Sequence, residues 1–149
     1  MVSVENYKSD KYYPRVVRAF DEILKKSIIV EPINVFIAMN ILDQKGYEDW
    51  RFGRIPHLEC AIKSGLPKCK RILKIIGFHA HDLNMVPSPT VYMRWGKGRK
   101  IRLQFSKNAY PYLEKQYSKS FKWNRRLPYK DWKLRLIEGS QFEANTRPQ

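Results

Sequence analysis

The spacing of apolar residues changes once along this chain, near residue 90, from a helical period to a strand period. Before that point apolar side chains recur every three or four residues, which predicts amphipathic helices. After it, apolar and polar side chains alternate over residues 90–95 and again over 101–105. Two such runs around a glycine-containing turn are typical of a β-hairpin. We therefore expect an α+β fold that is mostly helical.

Four helices are predicted before the hairpin, and a proline lies in the first turn of the first and the fourth. Their expected ranges are about 10–30, 31–46, 56–63 and 66–77, the last with room for a further turn to His81. Gly46 is placed to end the second helix. The aromatic and charged residues at 47–54 are interpreted as a loop packed by Trp50 and Phe52.

A further helix is predicted at about 108–121 and a short strand at about 132–136, and residues 139–149 are expected to form a loose tail. The expected organisation is one compact unit with three parts. These are an N-terminal helical extension at 1–30, a central domain at 31–107, and a C-terminal helix with a basic tail at 108–149. A chain of 149 residues can bury enough surface to fold without a disulfide or a metal ion.

The composition excludes several classes of protein. Hydrophobic residues make up 43% of the chain and aromatic residues 13%, which is too rich for an intrinsically disordered protein. No apolar run approaches the roughly 20 residues that span a bilayer, and the first residues lack the pattern of a signal peptide. Two cysteines, Cys60 and Cys69, do not make the disulfide framework of a secreted protein. We expect a cytoplasmic protein with no membrane partner.

The net charge of +15 is concentrated in one part of the chain. Residues 61–107 contain eleven lysine and arginine residues and one acidic residue, Asp82, which gives this stretch a net charge of +10. Residues 31–60, by contrast, carry a net charge of −2. General solubility would spread the excess along the chain, so the asymmetry indicates a polyanionic ligand for the basic stretch.

A helix, a tight turn and a basic helix are predicted within the run His57-Leu58-Glu59-Cys60-Ala61-Ile62-Lys63-Ser64-Gly65-Leu66-Pro67-Lys68-Cys69-Lys70-Arg71-Ile72-Leu73. Ala61 precedes the turn glycine, Gly65, by four positions, and the apolar Leu66 follows that glycine directly. In this pattern the chain resembles the winged helix-turn-helix superfamily over about residues 31–107. The resemblance implies a recognition helix at about 66–77 and a basic wing at about 91–105, and we refer to residues 91–105 as the wing segment.

The charges of these two segments suit a nucleic acid. A helix fits the major groove of B-form DNA, and the fourth predicted helix has an apolar stripe on one face and cations on the other. Cations at the tip of the wing segment can contact phosphates or enter the minor groove. The predicted nucleic-acid-binding residues are Lys63, Lys68, Lys70, Arg71, Lys74, Arg94, Lys97, Arg99, Lys100, Arg102, Arg125 and Arg126. Lys130 and Lys133 are expected to extend the phosphate contacts.

The expected function is non-enzymatic binding of double-stranded DNA, in a transcriptional regulator or in an accessory protein of a mobile element or defence system. The first helix, with Tyr12, Tyr13 and Phe20, carries more apolar surface than a small domain needs. A homodimer through this helix is therefore a further expectation, and a near-palindromic DNA site would follow from its two-fold symmetry.

Two other functions stay open. Tyr92, Trp95 and Trp123 would act as stacking platforms if the chain binds RNA or single-stranded nucleic acid, although Tyr92 and Trp95 also suit ordinary cross-strand packing. Alternatively, the basic face docks an acidic partner protein.

No catalytic residue, metal site or cofactor is predicted. The residues that invite a zinc interpretation are His57, Cys60, Cys69, His79 and His81, but the paired spacing of structural zinc sites is absent. The two cysteines are expected to pack as small core residues. Phosphodiester cleavage with two metal ions needs several oxygen ligands, and the basic stretch holds one carboxylate.

Overall fold

The computed structural model describes residues 2–123, which form an α+β fold of five α-helices and one three-stranded antiparallel sheet. The elements are α1 (Tyr13–Leu24), β1 (Ile29–Val30), α2 (Pro32–Ala38), α3 (Gln44–Arg51), α4 (Leu66–Asp82), β2 (Val86–Pro89), α5 (Pro111–Tyr117) and β3 (Lys119–Lys122). The α+β class predicted from the change in apolar spacing is confirmed.

The sheet brings together segments that lie far apart in the sequence. Its order is β1-β3-β2, and β3 pairs with both neighbours in the antiparallel direction. Phe121 at the centre is opposite Val30 of β1 and Pro87 of β2. The two prolines of β2 are tolerated because β2 is an edge strand, where a missing N–H on the solvent side breaks no ladder hydrogen bond.

The first and fourth predicted helices are confirmed as α1 and α4, with different ends. α1 spans Tyr13–Leu24, which is shorter than the predicted range because the chain turns into β1. α4 begins at Leu66, as predicted, and runs through Gly77 to Asp82. Proline in the first turn of each helix costs little, since the first N–H groups of a helix have no partner within it.

The prediction of a loop at 47–54 is wrong. Residues Gln44–Arg51 form α3, whose N-terminus is capped by the Asp43 carboxylate accepting from the Gly46 N–H at 2.7 Å. Gly46 therefore lies in the first turn of α3, and α2 ends earlier, at Ala38. Trp50 is fully buried and attaches α3 to the rest of the molecule.

Two further helix predictions need correction. The third predicted helix, at 56–63, is a single 3-10 turn at Leu58–Cys60, because the N–H groups of Leu58 and Glu59 donate to the carbonyls of residues 104 and 105. The last predicted helix, at 108–121, is the shorter α5, which ends at Tyr117 because β3 begins two residues later.

The wing segment is less regular than the predicted hairpin. Its two arms are joined by one isolated antiparallel bridge between Met93 and Arg102. The N–H groups of Arg94 and Leu103 donate across the arms at 2.8 Å. The wing segment is thus an irregular ribbon in the connection between β2 and β3, outside the three-stranded sheet.

A chain of aromatic rings joins the wing segment to the helical core. Trp50 of α3 lies 5.1 Å from Phe105, centroid to centroid, and Phe105 stacks on Tyr117 of α5 at 5.3 Å. Tyr117 in turn contacts Phe36 of α2. These four side chains are buried, so the base of the wing segment belongs to the same core as α2, α3 and α5.

The apolar face of α1 is buried within this same core. The homodimer prediction depends on Tyr12, Tyr13 and Phe20. Tyr12 is half-buried, whereas Tyr13 and Phe20 are 6% and 0% exposed and contact the His79 ring of α4. Tyr13 and Phe20 are therefore used within the core, and the homodimer stays a prediction. None of the helices within residues 2–123 combines the length and apolar character that a membrane span requires. The predicted strand at 132–136 and the tail at 139–149 lie outside the described residues.

Candidate nucleic-acid interface

α4 separates its apolar and basic side chains onto opposite faces. Cys69, Ile72 and Ile76 are buried in the core, whereas Lys70 and Arg71 are exposed and Lys74 is half-buried. The sequence predicts this division, and it leaves the basic side chains of α4 facing away from the core.

Two of the predicted contact residues near α4 have carboxylate partners. Lys63, just before α4, lies 3.2 Å from the Asp43 carboxylate. Arg71 makes an ion pair with Asp10, whose side chain is only 4% exposed. These cations are partly neutralised, so they contribute less to the field at the surface than the unpaired Lys70.

The tip of the wing segment, residues 96–100, carries its cations on an exposed turn. Lys97, Arg99 and Lys100 are exposed, and no carboxylate within residues 2–123 makes an ion pair with them. Gly96 and Gly98 have φ angles of 100° and 98°, a conformation that other residues adopt only with strain. The glycines therefore shape the turn from which the cations project.

Arg94 and Arg102 occupy different positions in the wing segment. The sequence predicts both as nucleic-acid contacts. The Nη2 group of Arg94 turns inward and donates to the carbonyl oxygens of Arg99 at 2.9 Å and Lys97 at 3.4 Å, so Arg94 holds the turn closed. Arg102 is exposed beside the tip.

Arg51 fastens the incoming arm of the wing segment to α3. Its guanidinium lies 4.4 Å from the centroid of the Trp95 ring and donates to the carbonyl of Met93 at 3.0 Å and to the hydroxyl of Tyr47 at 3.2 Å. The backbone N–H of Trp95 donates back to the Arg51 carbonyl at 2.6 Å. Cation–π contact and hydrogen bonds together fix this arm against the end of α3.

Carboxylates fasten both arms of the wing segment. Glu114 of α5 accepts from the N–H of Phe105, the last residue of the wing segment, at 3.1 Å, and from the N–H and the hydroxyl of Ser106, each at 2.7 Å. Glu59 accepts from the N–H of Lys107 at 3.0 Å. On the incoming arm, the hydroxyl of Tyr92 donates to Glu31. These three carboxylates therefore anchor the base of the wing segment, and none of them makes an ion pair with the cations at its tip.

Four cations from two segments gather around the ring of Tyr12. Lys11 lies two residues before α1, Arg15 is in the first turn of α1, and Lys68 and Arg71 are in the first two turns of α4. The charged groups lie 5.1 to 6.0 Å from the centroid of the ring. We call these five residues the Tyr12 cluster. Nothing in the sequence shows that α1 lies beside α4, so this grouping could not be predicted from it.

A groove runs along the exposed side of α4 towards α5. One part has a volume of about 470 Å³ and is lined by Lys70, Arg71, Lys74, Tyr110 and Tyr112. An adjoining part of about 520 Å³ shares Lys74 and Tyr112. Tyr110 is 53% exposed and Tyr112 is 44% exposed, so both rings are accessible beside the cations. We call this the α4–α5 groove. Neither tyrosine is among the residues that the sequence predicts to bind nucleic acid.

The rings predicted as stacking platforms are engaged elsewhere. Tyr92 is 6% exposed and packs against Trp50 and Phe105. Trp95 is 38% exposed, with its ring against Arg51. Trp123 is half-buried. Stacking on Tyr92 is ruled out by its burial, and the exposed tyrosines of the α4–α5 groove are better placed.

The histidines and cysteines are dispersed. Within residues 2–123 there is no group of three or more His, Cys, Asp or Glu side chains placed to hold a metal ion. Cys69 is buried as predicted, and burial raises the pKa of its thiol to about 11. Cys60 is exposed, contrary to the prediction, because the turn that carries it is at the surface; its Sγ lies 3.5 Å from Nδ1 of His57.

The predicted contact residues thus fall into two groups. Lys68, Lys70, Arg71 and Lys74 lie with α1 and the α4–α5 groove, whereas Lys97, Arg99, Lys100 and Arg102 lie on the ribbon that α3 supports. Arg125, Arg126, Lys130 and Lys133 lie outside the described residues. No protein-family model matches this chain, and neither a curated protein nor a solved structure is significantly similar to it.

Proposed function

We propose that this chain is a non-enzymatic nucleic-acid-binding protein that contacts duplex DNA with α4 and the wing segment. The observation that carries the proposal is the tip of the wing segment. Three exposed cations project there from a glycine turn that Arg94 closes and Arg51 anchors. A fixed ribbon with unpaired cations at its end suits a phosphate backbone or a minor groove.

The winged helix-turn-helix arrangement is part of this proposal. In support of it, α4 leads directly into β2, β2 pairs with β3, and the wing segment lies in the connection between those two strands. The basic face of α4 supports the role of a recognition helix, because Lys70 and Arg71 are exposed on it. The charge asymmetry of the chain supports a polyanionic ligand.

Replacing Lys97, Arg99 and Lys100 together with alanine is expected to weaken duplex binding and to reduce its salt dependence. Each phosphate contact to B-form DNA contributes about −0.9 to the slope of log K against log salt concentration, so the slope should become shallower by about 3. The measurement is fluorescence anisotropy of a labelled duplex of random sequence, titrated at several salt concentrations between about 50 and 200 mM.

A matched control removes the same number of charges elsewhere. Lys25, Lys26 and Lys45 are exposed and lie outside α4 and the wing segment, and their replacement with alanine should leave the slope close to that of the parent. Equal losses in the two triple variants would mean that only net charge matters. An absence of salt-dependent duplex binding by the parent chain would overturn the proposal.

Single-stranded nucleic acid is a second candidate ligand, favoured by the α4–α5 groove. Accessible tyrosine rings beside lysine and arginine side chains are the features that bind successive bases and phosphates of a single strand. Tyr110 and Tyr112 provide the rings, and Lys70 and Lys74 provide the charges.

Replacing Tyr110 and Tyr112 together with alanine is expected to weaken binding of single-stranded DNA or RNA by at least about 10-fold, because each lost stacking contact is worth about 1–3 kcal/mol. Duplex binding should change little. The variant with phenylalanine at both positions keeps the ring faces and should bind single strands like the parent. Competition between labelled single strand and unlabelled duplex measures both affinities in one assay. Loss of affinity in the phenylalanine variant would argue against stacking.

A further inference from the structure

We infer that the Tyr12 cluster is a binding site for phosphate groups, which extends the proposed nucleic-acid interface onto α1. This inference rests on the proposed function for the identity of its ligand, a phosphodiester strand. The anion site itself rests on the geometry of the cluster.

The geometry brings four positive groups to one ring. Lys68 Nζ lies 5.1 Å from the centroid of Tyr12, and Lys11 Nζ lies 5.2 Å from it. The guanidinium carbons of Arg71 and Arg15 lie at 5.7 and 6.0 Å. Cation–π attraction to the ring offsets part of the repulsion among these groups. It does not neutralise their charge, so an anion beside the ring is attracted by more than one cation.

Within residues 2–123, one carboxylate makes an ion pair with these cations. Asp10 makes the ion pair with Arg71, and its other oxygen accepts from the N–H of Tyr12 at 2.9 Å. Lys11, Arg15 and Lys68 make no ion pair with any acidic side chain in residues 2–123. The cluster therefore keeps a net charge of +3 on a small patch of surface. Phosphate oxygens bind such groups with charge-assisted hydrogen bonds.

The start of α4 adds to the attraction for anions. α4 has 17 residues, begins two residues before Lys68, and has Gly65 as its cap, which offers no side-chain acceptor to the first N–H groups. The partial positive charge at the start of a long helix favours a phosphate there. Arg71 also lines the α4–α5 groove, so a strand bound in the groove can continue onto the Tyr12 cluster.

The test uses inorganic tripolyphosphate as the first probe and single-stranded and duplex DNA as the second. Replacing Lys11 and Arg15 with alanine is expected to weaken tripolyphosphate binding by at least about 10-fold, measured by calorimetry on the full chain. The control replaces Lys25 and Lys26 with alanine. These substitutions remove the same charge at the other end of α1, about 18 Å away along the helix. The control should bind like the parent.

Asp10→Asn supplies a change in the opposite direction. Asparagine keeps the acceptor for the Tyr12 N–H and removes the countercharge, so tripolyphosphate affinity should rise several-fold. If loss of the Arg15 contact to the Met39 carbonyl disturbs folding, the single variant Lys11→Ala still tests whether the cluster binds tripolyphosphate. With DNA, the Lys11 and Arg15 variant should give a salt slope shallower by about 1 to 2 than the control.

The outcomes separate the two proposals. Tripolyphosphate binding that is equal in the variant and the control, or absent from the parent, overturns the phosphate site. Tripolyphosphate binding that depends on the cluster, in a chain that binds no nucleic acid, supports the anion site and overturns the proposed function. Equal DNA salt slopes in the variant and the control would show that the strand does not reach α1, and would overturn the extension of the interface.

Discussion

Replacing Trp50 with alanine is expected to lower the free energy of unfolding by about 4 kcal/mol. The side chain is fully buried, with ring centroids 5.1 Å from Phe105 and 5.5 Å from Tyr92. Its Nε1 group donates to the carbonyl of Gln104 at 2.8 Å. Alanine would leave a cavity where α3 meets the wing segment and would leave that carbonyl without its donor.

Urea denaturation followed by circular dichroism measures the change. Trp50→Phe keeps an aromatic ring in the cavity and should cost about half as much, which keeps a measurable transition if the alanine variant does not fold. Trp95 is the matched control, because it belongs to the same group of rings but is 38% exposed, so Trp95→Ala should cost clearly less. Similar losses for Trp50→Ala and Trp95→Ala would contradict the packing described for α3.

Trp50 also shows why α3 could not be predicted from the sequence, whereas α1 and α4 could. α1 and α4 could be predicted because each repeats buried apolar residues at every turn, as with Ile72 and Ile76. α3 has one fully buried residue, Trp50, among polar and charged neighbours. A helix with a single buried side chain has no apolar stripe, so its sequence pattern resembles that of a loop.

The sheet could not be predicted for a different reason. β1 has two residues and β2 contains two prolines, so neither shows the alternation by which strands are recognised. Both become strands because β3, from the other end of the described chain, lies between them. The wing segment had the alternation but paired through a single bridge, since its arms bond instead to α3, α5 and the turn at Leu58–Cys60.

The candidate interface was predictable in part. The exposed tip of the wing segment follows from its composition, because residues 96–100 contain no apolar side chain to bury. The inward turn of Arg94 depends on two carbonyl oxygens that only the folded turn brings near. The Tyr12 cluster joins residues from α1 and α4 through the Asp10–Arg71 ion pair, and local spacing carries no information about such a pairing.

Acidification is expected to destabilise the protein through His79. The imidazole is 1% exposed, lies edge-on to the rings of Tyr13 and Phe20, and neither of its nitrogens has a hydrogen-bond partner among residues 2–123. Burial lowers the pKa of His79 from 6.5 to about 4, Asp82 partly opposes that shift, and Lys8 adds to it. The folded protein therefore holds this histidine neutral at pH values where the unfolded chain protonates it.

The sign follows from proton binding. Between about pH 6.5 and pH 4 the unfolded chain binds more protons than the folded one, so stability that is fully present above pH 6.5 is lost as the pH falls, by about 3 kcal/mol at pH 4.

Urea titrations at successive pH values measure this loss. His79→Leu removes the titrating group and the two unpaired nitrogens, so the unfolding free energy of this variant should fall much less than that of the parent as the pH is lowered. His81 is exposed on the same helix, and His81→Gln should keep the acid loss. Parallel curves for the parent and His79→Leu would show that acid acts on other groups.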